Sequence, residues 1–233
     1  MFLSSEDVLN VLEPIAMAEM EKLFHRVPFA RDFHQGAKTH LAYYRRHLLE
    51  TVVRMRLDIQ TDAYCLYKMR PVDNKLSQLF ARYLSEEAGH DNLFLRDVEM
   101  FGINKQEALQ SKPLDATENL IGYFYYCINH EGPLLTVLWG WFVEWYSDRF
   151  NKVIAQRAAA EFGAEKLKGS FAHLVIDGQE DHSNFMLKTL SHAIQSQEDV
   201  MRAQRYLRRV IGFLEDYFRE LFETTIGQEA KAA

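Results

Sequence analysis

Cysteine, proline and glycine are all scarce in this chain of 233 residues, at 2, 5 and 11, and each scarcity closes a class of answer. Cys65 and Cys127 stand far apart with no CxxC spacing, which argues against a disulfide framework and a zinc knuckle and fits a reducing compartment. With so few breakers, long helices are left uninterrupted. The basic residues, 27 against 33 acidic ones, form no block, so a nucleic-acid partner is not expected. No apolar run reaches the roughly 18 residues of a membrane span. The start, "MFLSSEDVLNVLEPIAMAEM", lacks the basic region, apolar run and cleavage site of a signal peptide. A soluble, cytoplasmic protein with no membrane partner is the expectation. HExxH, the P-loop, GxGxxG and GxSxG are absent, as are repeats of fixed period.

What is present is hydrophobic content of 48%, enough to bury a sizeable core in one domain over residues 1–225, with a flexible tail at 226–233. The apolar spacing is helical throughout, without β alternation. It predicts an all-α bundle of about seven helices: from the Ser4-Ser5 cap to His25, 37–68, 73–101 capped by Asp73, Asp115–His130, Pro133–Ala160, 165–195 and 197–224.

Three of these helices carry unexpected polar groups. In "LSEEAGHDNLFLRDVEMFG", Glu87 and His90 are three apart, and Glu86 is a competing partner of His90 at four. On a helix either pair shares a face and can present a carboxylate and an imidazole to one metal. In "VLWGWFVEWYS", Glu144 is the sole carboxylate among aromatic and aliphatic residues. A buried carboxylate there needs a cation, a hydrogen-bond network or a proton, and an arginine from another helix would also serve. In "FAHLVIDGQEDH", His173, Asp177, Glu180 and Asp181 share one face, whereas His182 falls opposite His173. A π-bulge or local unwinding near Gly178 is predicted to bring His182 within reach of Asp177. Histidine and carboxylate without thiolate suit iron or manganese better than structural zinc. Phe124, Trp139, Phe142 and Phe171 are candidates for an apolar pocket lining.

"EEAGHDNLFLRDVEMFG", "EGPLLTVLWGWFVEW" and "FAHLVIDGQEDH" together resemble the haem-oxygenase-like superfamily, which includes thiaminase-II (TenA-type) and pyrroloquinoline-quinone synthase proteins. The likeness spans roughly residues 73–190 and is greatest to the haem-oxygenase-like di-iron oxidases. It implies a haem-oxygenase-like fold and a metal site of Glu87, His90, Glu144, His173, Asp177 and His182. It also implies two Fe(II) ions, O2 as co-substrate, and a small organic substrate such as a fatty-acid or amino-acid derivative. The Glu87–His90 spacing is similar to that of the medium-chain fatty-acid decarboxylase branch, while other relatives carry their Glu where this chain has Tyr83. The gap from Asp177 to His182 is five positions where relatives have three or four, which leaves Glu180 or Asp181 as substitutes. The alternatives are a metal-free TenA-like hydrolase and a non-catalytic binding protein. Thiaminase-II members place a nucleophilic Cys in the helix corresponding to "VLWGWFVE", and this chain has none there. A homodimer is the expected assembly.

Overall fold

The structure, a computed structural model, describes residues 4–228 except the side chain of Glu180. Among the described residues there are helices and no strands. The chain forms α1 (Ser5–Arg26), α2 (Pro28–His34), α3 (Leu41–Met69), α4 (Asn74–Glu87), α5 (Asp91–Met100), α6 (Lys105–Gln110) and α7 (Asp115–His130). It continues through α8 (Leu134–Tyr146), a π turn (Ser147–Asn151), α9 (Lys152–Phe162), a 3-10 turn (Ala164–Lys166), α10 (Lys168–Glu180), α11 (His182–Ala193) and α12 (Gln197–Thr224). The all-α expectation holds, but the count of seven does not, because three of the long helices are interrupted and two short ones, α2 and α6, are added.

Helix starts follow the capping chemistry written in the sequence. Ser4 accepts from the Asp7 amide while the Asp7 carboxylate accepts from the Ser4 amide, a reciprocal capping box. Asp73 caps α4 through the Leu76 amide, and Ser196 caps α12 through the Asp199 amide. Pro28 begins the short α2, where its missing amide hydrogen costs nothing. The short α6 is started by Asn104, whose side chain accepts from the Glu107 amide. α3 runs unbroken over its 29 residues. Past α12, residues 226–228 form a helical turn with Ile226 against the core, and the remainder of the expected tail, 229–233, lies outside the described residues.

α12, the most strongly amphipathic element, packs against α1, α7 and α8. α8, buried nearly all round, is held between α12 and α11. On the other side, α3 packs on α4, α5 and α7, and α5 supports α10. Trp141, Trp145, Tyr206, Phe80, Phe124, Phe142 and Phe218 are among the largest side chains that this arrangement buries completely.

The junction of α5 and α10 has little tolerance. Asp97 accepts from the backbone amides of Gly169 (2.7 Å) and Ser170 (2.6 Å) and from the Ser170 hydroxyl (2.7 Å). It satisfies amides at the start of α10 that have no partner within the helix. This close approach requires glycine: a Cβ on Gly169 would lie 1.9 Å from the Leu93 carbonyl oxygen. Elsewhere His34, 3% exposed, is buried as the neutral imidazole, with Nδ1 donating to the Ala30 carbonyl (2.6 Å) and Nε2 facing the Tyr146 hydroxyl (2.5 Å). Burial pushes it from 6.5 down to about 4, against the opposing pull of the Ala30 bond.

Gly169→Ala is expected to destabilise the protein by about 2–3 kcal/mol, read as a lowered urea midpoint with unchanged slope. For His34 the unfolded chain takes up a proton near pH 6.5 while the folded protein resists until about 4. Its contribution is therefore fully present above pH 6.5 and lost as the pH falls through 4. The acid-side fall in urea midpoint should be shallower in His34→Gln than in the wild type.

Candidate metal centre

Five helices, α4, α5, α8, α10 and α11, bring the six expected residues to one place, by means of two chain breaks and the steady course of α8. α4 ends at Glu87. Ala88 leaves the helical region (ψ 113°) and Gly89 adopts φ 100°, a conformation that glycine takes without strain. His90 then caps α5. Glu87 and His90 thus lie on either side of a kink, not deep inside one helix as their spacing predicts. The second break is at Asp181, whose φ of 50° and ψ of 43° are left-handed, and the chain restarts as α11 with His182. The unwinding expected near Gly178 therefore occurs three residues later, with no π-bulge in α10. The π turn that does form follows Glu144, at Ser147–Asn151.

Glu87 is at the centre. Its Oε2 is 3.2 Å from His90 Nδ1 and its Oε1 is 3.0 Å from His182 Nδ1. Glu87, His90 and His173 form one triad whose ligand atoms all lie within 4.8 Å of one another, and Glu87, Glu144 and His182 form a second. Asp177 joins through His173, with Oδ2 2.9 Å from His173 Nδ1, and accepts from the Ser147 hydroxyl at 3.2 Å. Tyr83 donates its hydroxyl to Glu144 Oε1 at 2.9 Å. No arginine or lysine among the described residues is within ion-pair distance of Glu144, so its neighbours are the cluster itself. Glu86 is differently placed: Arg82 donates to it at 2.8 Å, and its other oxygen is 3.6 Å from His182 Nε2. Asp181 is exposed and accepts from Asn184, and the Glu180 side chain lies outside the described residues.

The electrostatics follow from this crowding. Burial pushes Glu87 up, but the imidazoles of His182 and His90 outweigh it and hold the carboxyl at about 2. The same contact raises His90, and takes His182 up to about 9 against its burial. Glu144 goes the other way: burial, then repulsion from Glu87 and Asp177, raises it to about 8 despite the Tyr83 bond.

These residues fit a metal ion. Glu87 Oε1, His90 Nδ1 and Asp177 Oδ1 are buried with no hydrogen bond among the described residues. Although His90 Nδ1 and Glu87 Oε2 are close, they are misaligned as a hydrogen-bonded pair. Buried ligand atoms left without a partner call for one such as a metal ion, and nitrogen and carboxylate oxygen without thiolate suit iron.

The cluster opens into a cavity of about 160 Å3. Glu87, Glu144 and His173 line it on one side, and α3 supplies a long stripe that includes Thr51, Arg54, Asp58 and Asp62. Trp139 and Phe142 line it as expected. Phe124 is instead buried behind Trp139, with ring centroids 5.5 Å apart, and Phe171 packs on the core outside the lining. The polar residues of α3 and the Tyr83 hydroxyl also belong to the site and were not marked out by the sequence alone. The available signal was the spacing of Arg54, Asp58 and Asp62, charged every fourth residue on an otherwise half-apolar helix. Burial, the Asp58 charge and the Glu87 charge all raise Asp62 well above the carboxylate range. Asp58 rises to about 6 through burial, against Arg54 and Trp139.

An all-helical bundle with carboxylate and imidazole groups gathered from separate helices is an arrangement that can hold a metal ion. The chain belongs to the iron-containing redox enzyme family, whose model matches residues 52–213. Similar solved structures share the haem-oxygenase-like fold. A domain of unknown function from Shewanella denitrificans with that fold superposes with a TM-score of 0.75 at 22% identity, covering 91% of this chain and 90% of the other. A TenA homolog from Pseudomonas syringae pv. tomato gives 0.71 at 11% identity, covering 96% and 97%. Heme oxygenase from Leptospira interrogans gives 0.65 at 18%, covering 91% and 98%. No curated protein matches the chain. Among the described residues no helix is long and apolar enough to cross a membrane.

Gly140 sets how closely α8 approaches this site, since a Cβ there would lie 2.6 Å from Met186 Cε and 3.3 Å from the Tyr83 ring. Gly140→Ala is expected to cost about 1–2 kcal/mol. The penalty should shrink by at least about 0.5 kcal/mol in a Met186→Leu background, as measured by a double-mutant cycle of urea denaturation.

Proposed function

We propose that the protein is a di-iron, O2-dependent oxidase or oxygenase acting on a small organic substrate. Glu87, His90 and His173 would hold one ion with Asp177, and Glu87, Glu144 and His182 the other. The observation that carries this reading is the double use of Glu87, whose two oxygens each face a different triad. When bound, Fe(II) supplies the electrons with which O2 is reduced.

The rest of the chemistry belongs to the chain. Tyr83 holds its proton on Glu144 Oε1, and burial pushes that hydroxyl far above its ordinary range, so it acts as a donor and not as a base. Ser147 orients Asp177, and Asn151 in turn donates to the Ser147 hydroxyl at 3.0 Å. The apolar wall of Trp139, Gly140, Phe142 and Val143 excludes water beside the cluster. A fatty-acid or amino-acid derivative matches a cavity with this mixture of aromatic wall and α3 polar stripe.

The cysteines give no support to a thiol-dependent hydrolase. Neither lines the cavity, both are buried, and burial pushes the Cys65 thiol up to about 12 and raises Cys127 as well.

Anaerobic loading with Fe(II) followed by elemental analysis should give two iron ions per chain in this reading. Glu87→Gln and Glu144→Gln are expected to lose most of that iron, whereas Glu86→Gln, whose side chain is paired with Arg82, should retain it. A wild-type protein without stoichiometric iron would end the oxidase reading.

A further inference from the structure

The cavity meets the cluster at Glu87, Glu144 and His173, and neither Glu86 nor His182 belongs to its wall. His182 is covered from the surface side. Its side chain is 1% exposed and stands against two adjacent glutamates of α4: Nδ1 is 3.0 Å from Glu87 Oε1, and Nε2 is 3.6 Å from Glu86 Oε2. Glu86 keeps 25% of its side chain exposed. Arg82, one turn earlier and 62% exposed, donates from Nε to Glu86 Oε1 at 2.8 Å. The Arg82 guanidinium carbon also lies 4.6 Å from the centroid of the Phe185 ring, in the first turn of the helix that His182 begins. Arg82 therefore bridges the two helices that bring Glu86 and His182 together.

An ordinary exposed ion pair along a helix leaves its spare carboxylate oxygen in water. Glu86 does not: its Oε2 is buried and has no hydrogen bond among the described residues. A buried acceptor left without a donor is costly. The group it faces is an imidazole nitrogen, which donates whenever it carries the ring proton. A neutral imidazole with one nitrogen on a metal carries its proton on the other. In His182 the nitrogen turned towards Glu87 is Nδ1, so the nitrogen left to carry that proton is Nε2, the one that faces Glu86.

We propose that Glu86 is the positioning carboxylate of His182: its Oε2 accepts a hydrogen bond from Nε2–H, which fixes the tautomer that leaves Nδ1 for the metal, while Arg82 holds its other oxygen. The role rests on the proposed metal centre, and it belongs to a residue that is no ligand, since Glu86 acts through His182. The two consecutive glutamates ahead of the turn at Gly89 thereby divide the work. Glu87 faces the cluster directly, and Glu86 supports a histidine that arrives from the other chain break. A glutamine at this position would still present an acceptor oxygen, whereas an alanine or methionine would not. Through Arg82 an exposed side chain bears on the orientation of a buried ligand.

The test is a competition titration of chelator-treated full-length protein with Co(II), under exclusion of O2, against a chromophoric chelator. Glu86→Ala should weaken Co(II) binding by about 10- to 100-fold, and Glu86→Gln should recover most of that loss. Glu86→Met, similar in length but without the acceptor, should behave as the alanine variant does, and it carries the comparison if Glu86→Ala does not fold by circular dichroism. Proton NMR of the Co(II) protein supplies a readout that a merely structural ion pair would not move. A metal-shifted, exchangeable imidazole N–H signal present in the wild type and in Glu86→Gln should be lost to exchange with water in Glu86→Ala. Unchanged Co(II) affinity in the alanine and methionine variants, an N–H signal that they leave untouched, or a glutamine variant as weak as alanine would overturn the role. Iron content measured on the same proteins separates the two claims. Weakened Co(II) binding in a protein that takes up no stoichiometric iron leaves Glu86 as the support of His182 and removes the oxidase. Two iron ions per chain with unaltered affinity in the variants does the reverse, and a wild type that binds no Co(II) ends both.

Discussion

A carboxylate held between two imidazoles in the interior of a helical bundle is the constraint around which this protein is arranged. Glu87 is drawn down to about 2 by His90 and His182, while Glu144, a neighbour in the same cluster, is driven up to about 8. Two acids of one type are separated by their surroundings: imidazoles outweigh burial in the first case, whereas burial, reinforced by other carboxylates, prevails in the second. Such a group of buried charges gives little net stability on its own. The surrounding aromatic core, from Trp141 and Trp145 on α8 to Tyr206 and Phe218 on α12, supplies the burial that lets the bundle carry it. The Asp97 bonds to Gly169 and Ser170 hold α10, and with it His173 and Asp177, in register.

The fold class and several element boundaries were legible in the sequence because they depend on local chemistry. α7 runs from Asp115 to His130 and α12 from Gln197 to Thr224, where apolar periodicity and end signals agree. The interruptions were not legible to the same degree. The apolar stripe of α4 continues into α5, so a reading by period passes straight over Gly89. One glycine inside a helical pattern is compatible with either outcome. The need to unwind ahead of His182 could be foreseen from angular arithmetic, but its position at Asp181 could not, because aspartate tolerates the left-handed region better than most residues yet seldom occupies it.

The site shows the same division. Glu87, His90, Glu144, His173, Asp177 and His182 stood out because polar groups in an apolar stripe call for a partner. Arg54, Asp58 and Asp62 did not, since α3 at large has an exposed side and its charges passed for a solvated face. Only the packing of α3 against the cavity turns that stripe inward. The half of the pocket beside the histidine and carboxylate cluster was therefore more readable than the half lined by α3.

The two breaks have a further consequence for how such a site is described. His90 and His182 each stand at the restart of a helix, and the backbone between either histidine and the carboxylate before it is not helical throughout. The count of residues from Asp177 to His182 thus measures the length of a joint, not an angle around a cylinder. A residue gained or lost at Gly89 or Asp181 could be absorbed without moving the helix axes. Ligand spacing in this architecture is free to drift while the constellation in space stays put, so a pattern keyed to fixed intervals would pass over members that share the same centre.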